Sequence, residues 1–354
     1  SLENSIFARI SEDRLKETVR ITFDSSTSAV LYTFDGIDLQ TKPADNSMSQ
    51  INKVLAERTY DESGSYKVEG LTVWTDPLTA NVNILDDDGN IIRVRKPEDS
   101  LQLVIDSGKA YIKGYQVYKP TGMRTYLDKS LTTRAITNEG TYYTNASGKQ
   151  SLSNKFVKSI DNVTAQVRVT QEVVARGTIA NGADFMKNTN VLKLEKVWTD
   201  DKTYTQGTDY LLSNGQAISW APNGSEPAVG TTYYATYVYN KTMTSGTDYK
   251  ITTTGSDVNK VWFVDFTGMS GSKPVDQTIV YVNYTIYLFR KDLITMNPDG
   301  TINIKYGQPD SLENVTPPNH LDPFTLRLAT ILVYPNSNTT ESTDVSTVRL
   351  SMED

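Results

Sequence analysis

Three consecutive acids, Asp86, Asp87 and Asp88, stand directly before Gly89 and Asn90, a run of oxygen donors that superficially resembles a calcium loop. Hard cations favour such oxygens, but a helix–loop–helix calcium site spaces its acids at alternate positions and ends on a distant Glu. Here the acids are contiguous and Asp88-Gly89 lies between two apolar runs, 81–85 and 91–94. That arrangement predicts a tight hairpin turn, since this dipeptide readily takes positive φ angles.

The only histidine, His320, lies in Pro-Pro-Asn-His-Leu-Asp-Pro. An isolated imidazole can act as a base, but no activated nucleophile lies near it in sequence. Most zinc centres and most serine-hydrolase triads need a well-placed imidazole, so a single one narrows both. The chain contains no cysteine, which removes disulfide frameworks, thiolate metal sites and cysteine nucleophiles together.

Lys113 and Lys119 alternate with Tyr111, Tyr115 and Tyr118 in a small basic and aromatic patch. Such a patch could touch sugar or nucleic acid, although lysine stems covering a strand face account for it more simply. Tyr233, Tyr234, Tyr237, Tyr239, Tyr281, Tyr284 and Tyr287 could form a sugar-stacking platform, yet strand alternation divides them between two faces, which favours packing. A carboxylate pair for glycoside hydrolysis can come from distant strands, so spacing alone leaves that chemistry open. These residues give no basis for assigning a catalytic, cofactor-binding or metal-binding role, and no cofactor is expected.

The elements that would position them are strands. The chain of 354 residues carries 21 Tyr and 21 Gly among abundant Thr, Ser, Asn and Val, a vocabulary of strands and turns. The expected fold is mostly β, built of several small antiparallel sheets or sandwich modules, with one or two short helices near the N-terminus. The helices are expected over 11–19 and over 46–58, where Met48, Ile51, Val54 and Leu55 recur at helical spacing. Residues 162–175 alternate Val163, Ala165, Val167 and Val169 with polar neighbours, the pattern of a half-buried strand.

One short phrase repeats. Gly-Thr-Asp-Tyr occurs at 207–210 and again at 246–249, followed each time by a Trp-containing strand and then a tyrosine-rich strand. Every letter suits a turn: Gly for positive φ, Thr and Asp for bonds to nearby amides, Tyr to begin a strand. Two related β modules are expected, with both phrases at equivalent strand starts. The linear division is then 1–137 as an N-terminal β-rich domain, 138–158 as a linker or exposed loop, 159–240 as module one, 241–335 as module two with closing strands, and 336–354 as a C-terminal tail.

The net charge of −7, without a basic cluster, argues against nucleic acid as a partner. No run of about 18–20 apolar residues occurs, so no membrane partner is expected. A chain that begins at Ser1 without methionine fits an excised fragment.

Several stretches taken in order resemble a family of tail and baseplate structural proteins of double-stranded DNA bacteriophages. They are ERTYDESGSYKVEGLTV at 57–73, SGKAYIKGYQVYKP at 107–120, ARGTIANGADF at 175–185, the 204–239 segment, and YLFRKDLITMNPDGTINIKYGQPD at 287–310. The match spans most of 50–335 and rests on order rather than on any one motif. The resemblance implies a virion protein without catalytic residues, working through contacts with other tail or baseplate proteins and as a homo-oligomer, for which tail symmetry makes a trimer plausible. The rival expectation is a host-surface or carbohydrate-binding fibre module; a polysaccharide-degrading enzyme ranks third.

Overall fold

A computed structural model describes the backbone of residues 17–22, 28–34, 39–41 and 45–344, and the side chains of 51–256 and 258–344. The chain is mostly β, arranged as several small antiparallel sheets, with one α-helix near its N-terminus. Strands Glu17–Thr22, Ser28–Phe34 and Leu39–Thr41 form a meander. Of the helix expected over 11–19, residues 11–16 lie outside the described residues. Positions 17–19 belong instead to the first strand, where β-branched Thr18, Val19, Ile21 and Thr22 favour extended backbone.

The second expected helix is present as Asp45–Ser63. It runs past Arg58 and stops at Gly64, whose φ of +67° only glycine adopts cheaply and whose amide bonds back to the Tyr60 carbonyl at 2.7 Å. The predicted apolar stripe is not its buried side: Ile51, Val54 and Leu55 are exposed, while Ala56 is buried. Ala56 sits against Gly114, at which any Cβ would collide with the Ala56 carbonyl.

Two three-stranded sheets follow, one of Tyr66–Gly70, Gly108–Ile112 and Tyr115–Lys119, the other of Val73–Pro77, Ser100–Ile105 and Met123–Asp128. Their inward residues Leu71, Leu101, Leu103, Ile105 and Ile112 are fully buried, but not against one another alone. They share one core with Ile294, Met296, Leu328, Ala329 and Ile331 from the far end of the chain. Those come from the sheet of Ile302–Lys305, Arg290–Met296, Leu326–Val333 and Thr340–Asp344. The closing strands therefore complete the N-terminal core rather than module two, because each three-stranded sheet has one apolar face and needs a second layer to cover it. Thr340–Asp344, expected in the tail, is the edge strand of that layer; 345–354 lie outside the described residues.

Between these halves lies a six-stranded antiparallel sheet in the order Thr133–Tyr142, Ile279–Tyr287, Val157–Ala175, Thr232–Thr242, Val191–Trp198, Thr203–Tyr204. The supposed linker 138–158 is structured. It contains the end of the first of these strands, the short strand Lys149–Ser151, and buried Tyr143, Leu152 and Val157. Its polar residues form the Thr144–Gly148 turn, while the sparse apolar ones anchor it.

This region holds two similarly built modules, one inserted in the other. Strand Val157–Ala175 pairs through its first half with Ile279–Tyr287 and through its second half with Thr232–Thr242. Its 19 residues thus end one module and begin the next. The inner module uses 166–240; the outer one uses 133–165 and resumes at 241–287. Each carries a small three-stranded sheet in the same order, Ala183–Phe185, Ala217–Trp220, Tyr210–Ser213 in the inner and Lys149–Ser151, Val261–Asp265, Lys250–Thr254 in the outer. Even irregularities recur. A register shift falls between Ile136 and Glu139 opposite Tyr284 and Val282, and another between Val169 and Glu172 opposite Tyr237 and Ala235.

Candidate functional site

The acidic run turns out to be the predicted hairpin turn. Asp86 Oδ1 accepts the amides of Asp88 and Asn90, at 3.0 and 2.8 Å, and Gly89 has φ +83°. The Asn90 amide in particular holds the Asp86 carboxyl below its ordinary value. His320 packs at a shallow cavity with Tyr60, Ser65, Pro323 and Arg327, its Nε2 at 2.8 Å from Thr325 Oγ1. Burial, with Lys305 nearby, pushes its pKa down, so at neutral pH it is an uncharged hydrogen-bonding partner.

The basic and aromatic patch is dispersed. Tyr111 stacks on Tyr66 with centroids 5.3 Å apart, Lys113 Nζ lies 3.8 Å from the Phe324 ring, and Lys119 packs over Gly300. Tyr115 and Tyr118 are left exposed. Nor do the seven tyrosines form a platform: Tyr233, Tyr237 and Tyr284 are fully buried, whereas Tyr281 is exposed. The hydroxyl of Tyr237 donates to Glu172 and accepts from Asn188 Nδ2; that of Tyr284 does the same with Glu139 and Asn154. The sites are equivalent, and each Glu stands just after a register shift that turns its side chain toward the tyrosine. Burial, and then the facing Glu, raises both phenol pKa values, so both stay neutral donors.

The repeated phrase builds a corner in each module. Gly207 and Gly246 have φ of +88° and +80°, and each amide bonds to the carbonyl of the Tyr three residues on, at 2.8 Å. Asp209 accepts the amides of Thr205 and Ser225 at 2.8 Å each, and Asp248 accepts those of Thr244 and Ser272 at 2.8 and 2.7 Å. The two Thr205 and Ser225 amides hold the Asp209 carboxyl below its ordinary value. Burial pushes Asp248 upward, but Lys241 Nζ at 2.8 Å and the two amides outweigh it, leaving a net lowering. Both phrases therefore lead into strands at matching places in the two small sheets.

What the sequence reading missed lies at the junction of the outer module and the terminal core. Phe156, Phe289 and Tyr334 meet there in edge-to-face contacts with centroids 5.0 to 6.3 Å apart. Below them Arg290 grips Asp292 through Nε and Nη2 and donates to the carbonyls of Asp128 and Lys129, locking the crossover between the two regions. A cavity of about 520 Å³ opens on one side, lined by Lys129, Lys155, Lys260, Trp262, Tyr287 and the loop 336–339. A second of about 500 Å³ lies across the Lys155–Phe156 ridge and is more apolar, with Glu313 the carboxylate in its lining. Lys129 is 9 % exposed, and burial pushes its ammonium pKa down more than Asp99 and Glu98 raise it. Lys260 lies over Trp262, 5.6 Å from the ring centre. The lining comes from well-separated segments, each with one lysine or, at 336–339, two asparagines, so no local motif could have announced it.

A second feature is the hairpin of Val82–Leu85 and Ile91–Arg95, which pairs with no third strand among the described residues. It exposes Leu85, Ile91, Ile92 and Val94, and Ile92 is 65 % accessible. At its base Arg93 and Arg95 clasp Asp128.

No curated protein and no solved structure matches this chain. A family model does: the chain belongs, through residues 7–354, to the family described as a domain of unknown function, DUF4815.

Proposed function

We propose that this chain is a structural component of a bacteriophage tail or baseplate, located in the virion and acting through protein–protein contacts during assembly. The observation that carries the contact role is the hairpin of residues 82–95. A two-stranded ribbon is marginal by itself in water, and this one holds four large apolar side chains out to solvent on an arm fixed by two arginines. Such an arm gains stability when a neighbouring subunit covers it. The order of strand phrases that resembles tail and baseplate proteins supplies the setting. Interfaces of this kind place apolar anchors inside a polar rim, and the surrounding Asp and Arg side chains provide that rim. Symmetric self-association, including a trimer, fits the same surface.

A cryo-EM map of intact particles of the phage that encodes this chain tests the reading. The fold is expected in the tail tip or baseplate, with residues 82–95 buried against another subunit. Density for it in the capsid, or its absence from the virion, overturns the proposal.

The rival reading, a module that binds a host-surface carbohydrate, is favoured by one observation, the lysine-lined cavity at Trp262. In the described lining of the two junction cavities, Glu313 has no facing second carboxylate of the kind a glycosidase needs, so the site is read as a binding site.

A further inference from the structure

The junction cavity combines three kinds of group that seldom converge by chance. Lys129, Lys155 and Lys260 all line it, and no salt bridge among the described residues engages any of them. Some lysines elsewhere are paired, Lys241 with Asp248, Lys149 with Asp265 and Lys193 with Glu195, while others, such as Lys113 and Lys202, lie over aromatic rings. Lys129 is the costly member, because its buried position removes most of the water that would otherwise solvate its charge. In a chain of net charge −7, three lysines lining one cavity, with no carboxylate in that lining, make it locally positive.

Two aromatic residues, Trp262 and Tyr287, also line it, and Tyr287 is half-buried with its ring 5.8 Å from Lys158 Nζ. The loop Asn336, Ser337, Asn338, Thr339 completes the lining, pinned by the Asn336 amide to the Ser130 carbonyl at 2.9 Å and by the Tyr334 amide to the Thr339 carbonyl at 3.2 Å. Asn336 holds φ +43°, and the side chains of Asn336 and Asn338 are exposed, with no hydrogen-bond partner among the described residues. Carboxamides pair with vicinal hydroxyls, aromatic rings cover the apolar face of a pyranose, and ammonium groups take an anion.

We propose that this cavity binds an acidic saccharide, a sugar ring carrying a carboxylate or a phosphate, with the anion on Lys129, Lys155 and Lys260, the ring against Trp262 or Tyr287, and hydroxyls on Asn336 and Asn338. A volume of about 520 Å³ holds one or two sugar residues. Three lysines are far fewer than the run of basic side chains that tracks a nucleic-acid backbone, and the oligothymidylate arm below tests that alternative. Its acidity requirement goes beyond the assembly role proposed above and does not depend on it.

Titration calorimetry on the whole chain tests it with four probes: an oligogalacturonate, a glycerol-phosphate oligomer bearing sugar, a neutral maltooligosaccharide of equal length, and an oligothymidylate. The expected result is saturable binding of one of the two acidic sugars, weakened at high salt, with the carboxylate and phosphate arms identifying which anion is used. Lys155→Gln with Lys260→Gln should weaken it by about tenfold or more, and Asn338→Ala by severalfold, in variants whose circular dichroism is unchanged. The substituted side chains are exposed or half-buried, so folding should survive. Equal binding of the neutral sugar, tighter binding of the oligothymidylate, indifference to the lysine substitutions, or no binding by any probe overturns the proposal. The map of the virion reports on the assembly role separately.

Discussion

The inner and outer modules share a skeleton and differ in what fills it. At the heart of the inner module Arg176, without measurable side-chain exposure, is paired to buried Asp184 at 3.2 Å and to Glu226 at 2.6 Å. Asp184 also accepts from the Gly177 amide, from Trp220 Nε1 at 2.7 Å and from the Tyr233 hydroxyl at 3.1 Å. At the matching places in the outer module stand Tyr143, Gln150, Phe266 and Val280. There Tyr143 packs edge-on to Phe266 with centroids 5.4 Å apart, and no ion pair joins them. One backbone design therefore tolerates a polar or an apolar centre, provided each is internally complete. A buried charge must be surrounded by partners, whereas an aromatic pair needs only volume.

Breaking the comparison at that point should give the largest effect. Arg176→Met strands Asp184 and is expected to destabilise the inner module by about 3–5 kcal/mol, whereas Tyr143→Phe in the outer module should change stability by less than about 1 kcal/mol. Urea unfolding followed at Trp220, with hydrogen exchange to resolve the two small sheets, measures both. Equal losses would mean that the ionic centre contributes nothing distinctive.

The next contrast lies in the repeated corner. Lys202 and Lys241 occupy matching positions three residues before Thr205 and Thr244, yet only Lys241 reaches its aspartate, while Lys202 lies over the Tyr204 ring. Asp248→Asn should therefore cost about 1–2 kcal/mol and more than Asp209→Asn, because it also leaves Lys241 without its counter-ion. The pH dependence follows the sign of the shifts. Both carboxyls are lowered in the folded chain, so the unfolded chain takes up protons first as pH falls. Their contribution is complete above the ordinary aspartate pKa of about 3.9 and fades as the pH drops below it toward the folded values. Urea midpoints between pH 3 and 6 should show a steeper acid loss in the parent chain than in Asp248→Asn; parallel curves would contradict the assignment.

The smallest effect sharpens the likeness instead. Gly207 and Gly246 have open space where a Cβ would sit, so alanine at either meets only backbone strain. Both substitutions should cost about 1 kcal/mol, and by the same amount. A clear difference in thermal midpoint between them would show that the two corners are not the same structure.

Composition and alternation determined much of this protein in advance. The β class, the hairpin at Asp88-Gly89, the strand through Val163 and Val167 and the two corners all rest on local preferences, which need only neighbours within a few residues. The helix near residue 51 was legible too, though its buried side was not: Ala56 faces inward only because Gly114 leaves room for it. Tertiary structure alone decided how the pieces combine. Sheets with one apolar face must find a cover, and the chain supplies it from 290–333 for the strands at 73–127, across more than 160 intervening residues. The insertion of one module within the other is hidden for the same reason, since the single strand Val157–Ala175 belongs to both and nothing in its alternation marks the change of partner. The lysine cavity is the extreme case. Lys129, Lys155, Lys260 and the 336–339 loop have no common pattern, because they are brought together by the packing of Phe156, Phe289 and Tyr334 and by the grip of Arg290 on the crossover, contacts that exist only once the two regions have docked.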